Sequence, residues 1–144
     1  GWVRTCPGNR INPDAVREWF LEVQSEYDIY LNLVGYDSWS AELWVNEMKR
    51  SFGDSTMRPV IQGKKTLSNP MKMLAKDLQA HKIIYNNNGV LKWCMANTCV
   101  DEDRNGNIQP IKSRKPTQRI DGLAALLDAY TVLQDNLNDY LSVI

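Results

Sequence analysis

Two aspartates stand where a carboxylate can meet a ligand while its backbone stays anchored. Asp37 follows the apolar run Ile29-Tyr30-Leu31-Asn32-Leu33-Val34-Gly35-Tyr36 and precedes a stretch with helical spacing. Ligands bind at the carboxyl ends of strands in open α/β sheets, so Asp37 reads either as a site carboxylate or as the cap of the next helix. Asp121, in Arg119-Ile120-Asp121-Gly122-Leu123-Ala124-Ala125-Leu126, lies in the first turn of a long helix. An acid there complements the helix dipole whatever else it does. Gly122 and the two alanines are small enough to let that helix approach a sheet closely, which would bring Asp121 beside a strand end. Asp128, further along on the same helical face, is a lesser candidate for the same site. Converging carboxylates suit hard divalent cations, magnesium or manganese above all. A pair of such ions activates water and stabilises the leaving oxygen in phosphodiester cleavage.

Other chemistries find less support. His81 is the only histidine, so neither a serine–histidine nor a cysteine–histidine arrangement is convincing, and Cys94 with Cys99 lacks the further ligands a zinc site needs. Cys6, Cys94 and Cys99 read instead as reduced thiols and small buried hydrophobes. Asp101-Glu102-Asp103-Arg104-Asn105-Gly106-Asn107-Ile108 matches the opening of a calcium-binding EF-hand loop, but Lys112 stands where the bidentate glutamate belongs. A hairpin with a charged tip is the better account of it. Phosphate contacts have two candidate sources, Lys64-Lys65 and the run Lys112, Arg114, Lys115 and Arg119, which leads directly into Asp121. Solvated connector charge is the alternative for each. No Walker motif is present, so this chain is not an ATPase.

The elements that must position these residues follow from pattern. Asn12-Pro13 opens an amphipathic helix over 13–27, with Val16, Trp19, Phe20, Val23 and Tyr27 at helical spacing. The run 29–36 predicts a strand buried on both faces. Ser38 can cap a helix over 39–52, with Trp39, Leu43, Trp44 and Met48 on one stripe. Met57–Gln62 is a second short strand. Leu67–Ala80 is a helix opened by Ser68-Asn69-Pro70, and Val90–Ala96 is a short helix after an asparagine-rich break. Two extended runs from Thr98 to Lys112 flank Asn105-Gly106, the dipeptide suited to a two-residue hairpin turn. A long helix follows from Arg119, with Leu123, Leu126, Leu127, Tyr130, Leu133, Leu137 and Leu141 as its apolar positions. Trp19, Trp44, Trp93, Met71, Met73 and Met95 read as core, and His81 as a surface residue at a helix end.

The bulk properties agree with one α/β domain over 1–144. Apolar residues make up 43% and charged residues 24% of the 144, which excludes a disordered chain. Seventeen basic residues balance seventeen acidic ones, so net charge gives no support to a nucleic-acid partner and any basic surface must be local. No apolar stretch has the roughly 20 residues needed to span a bilayer, and Gly1-Trp2-Val3-Arg4 does not read as a secretory signal.

The ordered set Val34-Gly35-Tyr36-Asp37-Ser38-Trp39, Gln62-Gly63 and Leu67-Ser68-Asn69-Pro70-Met71-Lys72 resembles the nuclease domain of tailed-phage large terminases. The likeness continues through Leu91-Lys92-Trp93, Asn97, Asp103 through Asn107, Lys112 and Arg119-Ile120-Asp121-Gly122, covering about Thr5 to Tyr130. It implies an RNase H-like fold that cuts concatemeric viral double-stranded DNA during genome packaging, with acidic clusters holding two magnesium or manganese ions. By motif position Asp37 would be the second acidic residue and Asp121 the third, while Asn97 and Lys112 match recurrent positions without an assignable role and Asp103, in the matched stretch, is a lesser site candidate. The family's first acidic residue and its ATPase domain lie upstream of the segment resembling Thr5–Asn9. The expectation is therefore a partial RNase H-like fold, with a short mixed sheet flanked by helices, a hairpin near 98–112 and an incomplete two-metal site. Its exposed strand edge would invite pairing with a second copy. The implied partners are viral DNA, the portal and the small terminase subunit, and the implied location is the host cytoplasm at the procapsid portal. Two other readings remain: a noncatalytic module docking the motor to portal, capsid or small subunit, and another RNase H-like enzyme such as a resolvase or integrase.

Overall fold

The computed structural model describes residues 3–39, 42–113, 115 and 117–142. Helix α1, Pro13–Tyr27, spans the expected range, with the Asn12 side chain accepting a hydrogen bond from the Asp14 amide. It ends at Asp28, which adopts a left-handed conformation (φ 51°) and turns the chain out of the helix. Strand β1 is shorter than the apolar run suggests, covering only Val34–Asp37. Its parallel partner β2, Met57–Val60, begins opposite Val34, directly after a 3-10 turn at Asp54–Thr56. Residues before Val34 thus have no ladder partner among the described residues. Ile29 is exposed, and Tyr30 lies 95% exposed to solvent. Apolar composition predicted burial on both faces there, and pairing decided otherwise.

Helix α2, Glu42–Phe52, covers β1 and β2 through Val45 and Met48, which share a cluster with Met57 and are backed by Phe20, Val34, Tyr36 and Trp44. The expected stripe is rotated: Trp39 and Leu43 face solvent, while Val45 replaces them in the core. Helix α3, Lys64–Gln79, starts about one turn before the expected Leu67 and well before the Asn69-Pro70 signal. Pro70 sits inside it, buried with Leu67 and Leu74 on one face. Asn69 caps nothing, and its side-chain amide approaches the Met73 sulfur instead. His81 is exposed just past this helix, in a left-handed conformation (φ 56°).

Helix α4, Gly89–Ala96, is capped by Asn88, whose carboxamide oxygen accepts from the amides of Val90 and Leu91. Strands β3, Thr98–Glu102, and β4, Ile108–Lys112, pair antiparallel. Their turn is a three-residue loop, not the expected two-residue one. The Asp103 amide donates to the Asn107 carbonyl, and the Gly106 amide donates to the Asp103 carbonyl with Gly106 at φ 75°. That is a type I turn followed by a left-handed residue, which glycine adopts without strain. Helix α5, Asp121–Asp135, lies against β1, α3 and α4. The expected long helix is broken at Asn136, whose side-chain amide donates to the Val132 carbonyl, and a short helix α6, Leu137–Leu141, follows.

The architecture is α/β: a parallel pair covered by α2 and α5, beside an antiparallel hairpin packed on α3. The main core joins Val60, Leu67, Leu74, Leu123, Leu127, Tyr130 and Val132, with Met71, Met73 and Met95 packed against it. Three core expectations are corrected. Trp19 and Trp93 are about half exposed, since no described element covers their outer faces, and Cys99 is exposed on β3 while Cys94 is buried. No helix of the described residues is long and apolar enough to cross a membrane.

Candidate functional site

The first residue of interest is Gly35, in the middle of β1. A Cβ on it would lie 2.4 Å from the Asp128 carbonyl oxygen and 2.9 Å from a Val132 methyl. The α5 backbone therefore rests directly on this strand. Close approach of helix and sheet was expected from Gly122 and the following alanines. Gly122 instead lies against Cys94 of α4, with Sγ 3.1 Å from an added Cβ, and the sheet contact depends on the strand's own glycine.

Direction follows from two further contacts. Leu33 shares a shallow cleft with Val132, Leu133 and Asn136, whereas Gly35 meets Asp128. Moving up β1 toward Asp37 thus means moving back along α5 toward Asp121. The carboxyl end of β1 and the amino end of α5 point to the same edge of the molecule. Because β2 runs parallel to β1, with Val60 opposite Asp37, its exit through Ile61-Gln62-Gly63 into Lys64 and Lys65 lies at that edge too.

Asp37 is exposed, and one carboxylate oxygen accepts the Trp39 amide at 3.0 Å. It therefore does the turn-capping that its position allowed, and its other oxygen has no hydrogen bond among the described residues. Asp121 is exposed at the first position of α5. Asp128 lies two helical turns further, about 10 Å along the axis at 1.5 Å per residue, and is only 7% exposed. Its carboxylate accepts from the Gln62 side-chain amide at 3.1 Å, and the same amide donates to the Val60 carbonyl at 3.2 Å. Burial pushes the Asp128 carboxyl above the usual range, opposed by the Gln62 hydrogen bond, and the charge of Asp37 pushes it up further. Among the described residues, no three or more His, Cys, Asp and Glu side chains are grouped as a metal site.

The basic candidates divide. Lys64 is engaged by Asp101 of the hairpin at 2.8 Å, and this contact holds the Asp101 carboxyl below its ordinary value. Lys65, Lys112, Lys115 and Arg119 are exposed, with no ion pair among the described residues. Arg114 lies outside the described residues. Asp103 organises the hairpin turn. Its carboxylate accepts from the Asn107 side chain and from the amides of Asn107 and Asn105, which hold it below the usual range. Asn97 is buried and donates to the Arg119 carbonyl at 3.2 Å, tying the end of α4 to the segment that delivers Asp121. Lys72 reaches the Gly106 carbonyl at 2.6 Å, and Ser68 accepts the Ile108 amide, so α3 carries the hairpin. Sequence reasoning gave Gln62 no role. Gln62-Gly63 entered only as part of the family likeness, and the reach of the Gln62 side chain to α5 has no signal until that helix is in place.

Comparison with known proteins bears on the family and the fold. No curated protein matches this chain. Among solved structures, the fold is similar to the crystal structure of the HK97 bacteriophage large terminase, with TM-score 0.78 and 23% identity over 91% of this chain. The chain spans only 27% of the length of that terminase. A family model for the terminase large subunit, endonuclease domain, matches residues 22–136, well over half of the chain. By that match, the chain belongs to the terminase large subunit endonuclease-domain family.

Proposed function

We propose that the edge carrying Asp37 and Asp121 is a divalent-metal nuclease site that cleaves concatemeric viral double-stranded DNA during packaging. The observation that supports it most is topological: the carboxyl end of β1 and the amino end of α5 point to one edge, with Asp128 buried where the helix rests on the strand. The donor chemistry fits magnesium or manganese. All three side chains offer carboxylate oxygens, which hard cations prefer. Asp37 and Asp121 would be the ligands this chain supplies to a two-ion site.

Bound divalent ions supply Lewis acidity, which acidifies water and neutralises charge on the leaving oxygen. The chain's own contribution is placement. Gly35 seats α5 against β1, Asn97 pins the Arg119 backbone, and both fix where the carboxylates sit. Lys65, Lys112, Lys115 and Arg119 are exposed and available to hold backbone phosphates of duplex DNA. Portal and small-subunit contacts belong to the same reading, as does edge pairing between copies, because β1 is paired only with β2 among the described residues.

Plasmid cleavage with manganese tests the site. Wild type is compared with Asp37→Ala and Asp121→Ala, each also in a chain extended upstream. Loss of cleavage in both variants is expected, and full activity in both removes the assignment. Cleavage confined to branched DNA, or strand transfer, would favour a resolvase-like or integrase-like enzyme instead.

A further inference from the structure

Gln62 occupies an unusual position for a residue with no charge. It stands two residues beyond β2, and its side-chain amide spends both hydrogens within the protein: one on the Val60 carbonyl, the other on Asp128. The first bond fixes the side chain to the end of the strand that pairs with Asp37. The second reaches across to α5, 66 residues along the chain. A buried carboxylate costs stability unless it is hydrogen-bonded, and Gln62 is the only side chain donating to Asp128 among the described residues. Asp128 in turn sits where the α5 backbone rests on Gly35, two residues before Asp37 on β1.

We propose that Gln62 is a positioning residue of the metal site, clamping Asp128 so that the α5 carboxylates stay aligned with Asp37. The inference rests on the nuclease reading of this edge. Asp128 then stands as a buried carboxylate at the seat of α5 on β1, where it supports the cation-binding edge, and the fold accepts the cost of burying it. Two properties that usually change together should therefore separate. Removing the Asp128 charge should make the fold more stable and the cation weaker-bound.

The test uses the full chain, with manganese binding followed by electron paramagnetic resonance of the free ion and stability by thermal melting. Gln62→Met keeps the side-chain length and removes the donor. It is expected to weaken manganese binding three- to ten-fold while lowering the melting temperature by only a few degrees. Gln62→His, which retains a donor, is expected to recover at least half of that loss. Asp128→Asn is expected to raise the melting temperature and weaken binding, and the double variant to bind no worse than the weaker single one. Manganese affinity unchanged in Gln62→Met overturns the inference, as does a loss that Gln62→His fails to recover. Asp37→Ala separates the two levels. If it abolishes binding while Gln62→Met has no effect, the site stands and the positioning role falls. If Asp37→Ala binds as wild type does, or wild type binds no manganese, the metal-site reading falls and the inference with it.

Discussion

Replacing Gly35 with alanine probes the contact on which the site depends. The new Cβ would sit 2.4 Å from the Asp128 carbonyl oxygen, 2.7 Å from its carbonyl carbon and 2.9 Å from a Val132 methyl. Close carbon–oxygen contacts settle near about 3.3 Å, so strand and helix must separate by about 0.9 Å. The two nearest obstructing atoms belong to helix backbone and cannot swing aside as a flexible side chain would. Overpacking a core costs about 1–3 kcal/mol, and the rigidity here argues for the upper end, about 3 kcal/mol. That is roughly a hundredfold in the folded-to-unfolded ratio. With a urea slope of about 1–3 kcal/mol per molar, the unfolding midpoint should fall by at least about 1 M. Gly89→Ala is the matched control: it opens α4, has nothing within 4 Å of an added Cβ, and has no positive φ. It should leave the midpoint unchanged or raise it by a few tenths of a molar. A Gly35→Ala midpoint within about 0.3 M of wild type, at unchanged slope, would refute the claim that α5 rests on this strand.

Two further outcomes are expected. The buried Tyr130 hydroxyl donates to Asp77 at 2.6 Å, and burial, followed by the hydrogen bond and charge of Asp77, pushes its pKa up to about 12. The unfolded chain loses this proton near about pH 10. The stabilisation is therefore fully present below pH 10 and is lost as pH rises toward 12. Denaturant midpoints between pH 8 and 12 should fall more steeply for wild type than for Tyr130→Phe, and parallel curves would count against it. For DNA binding, Lys65→Ala should reduce the slope of log affinity against log salt by about 0.9, the share of one phosphate contact. Lys64→Ala should reduce it less, since Asp101 already engages that ammonium. Equal slopes for wild type and Lys65→Ala would remove Lys65 from the interface.

Much of the local structure was legible because its causes are local. Asn12-Pro13 marks the start of α1 by capping geometry, and Asn88 does the same for α4. The hairpin follows from extended runs around Asn105-Gly106, although the length of its loop depended on Asp103, whose carboxylate collects the amides of the turn. Asp37 was visible as a carboxylate ending an apolar run, and the position of Asp121 was visible as the first turn of a helix. Errors came where local signals compete. Asn69-Pro70 signals a helix start, yet Pro70 fits the interior of α3 because its ring joins the buried face with Leu67 and Leu74.

The sequence by itself determined which residues offer carboxylates, which segments are helical, and that a strand ends at Asp37, since propensity, capping and apolar spacing act between near neighbours. Only the tertiary structure decided which elements lie against one another. The β1 register against Met57–Val60, the seat of α5 on Gly35, and the reach of Gln62 to Asp128 join residues tens of positions apart. No periodicity encodes them. They depend on how much room a missing Cβ leaves, and that is known only once the helix lies on the strand.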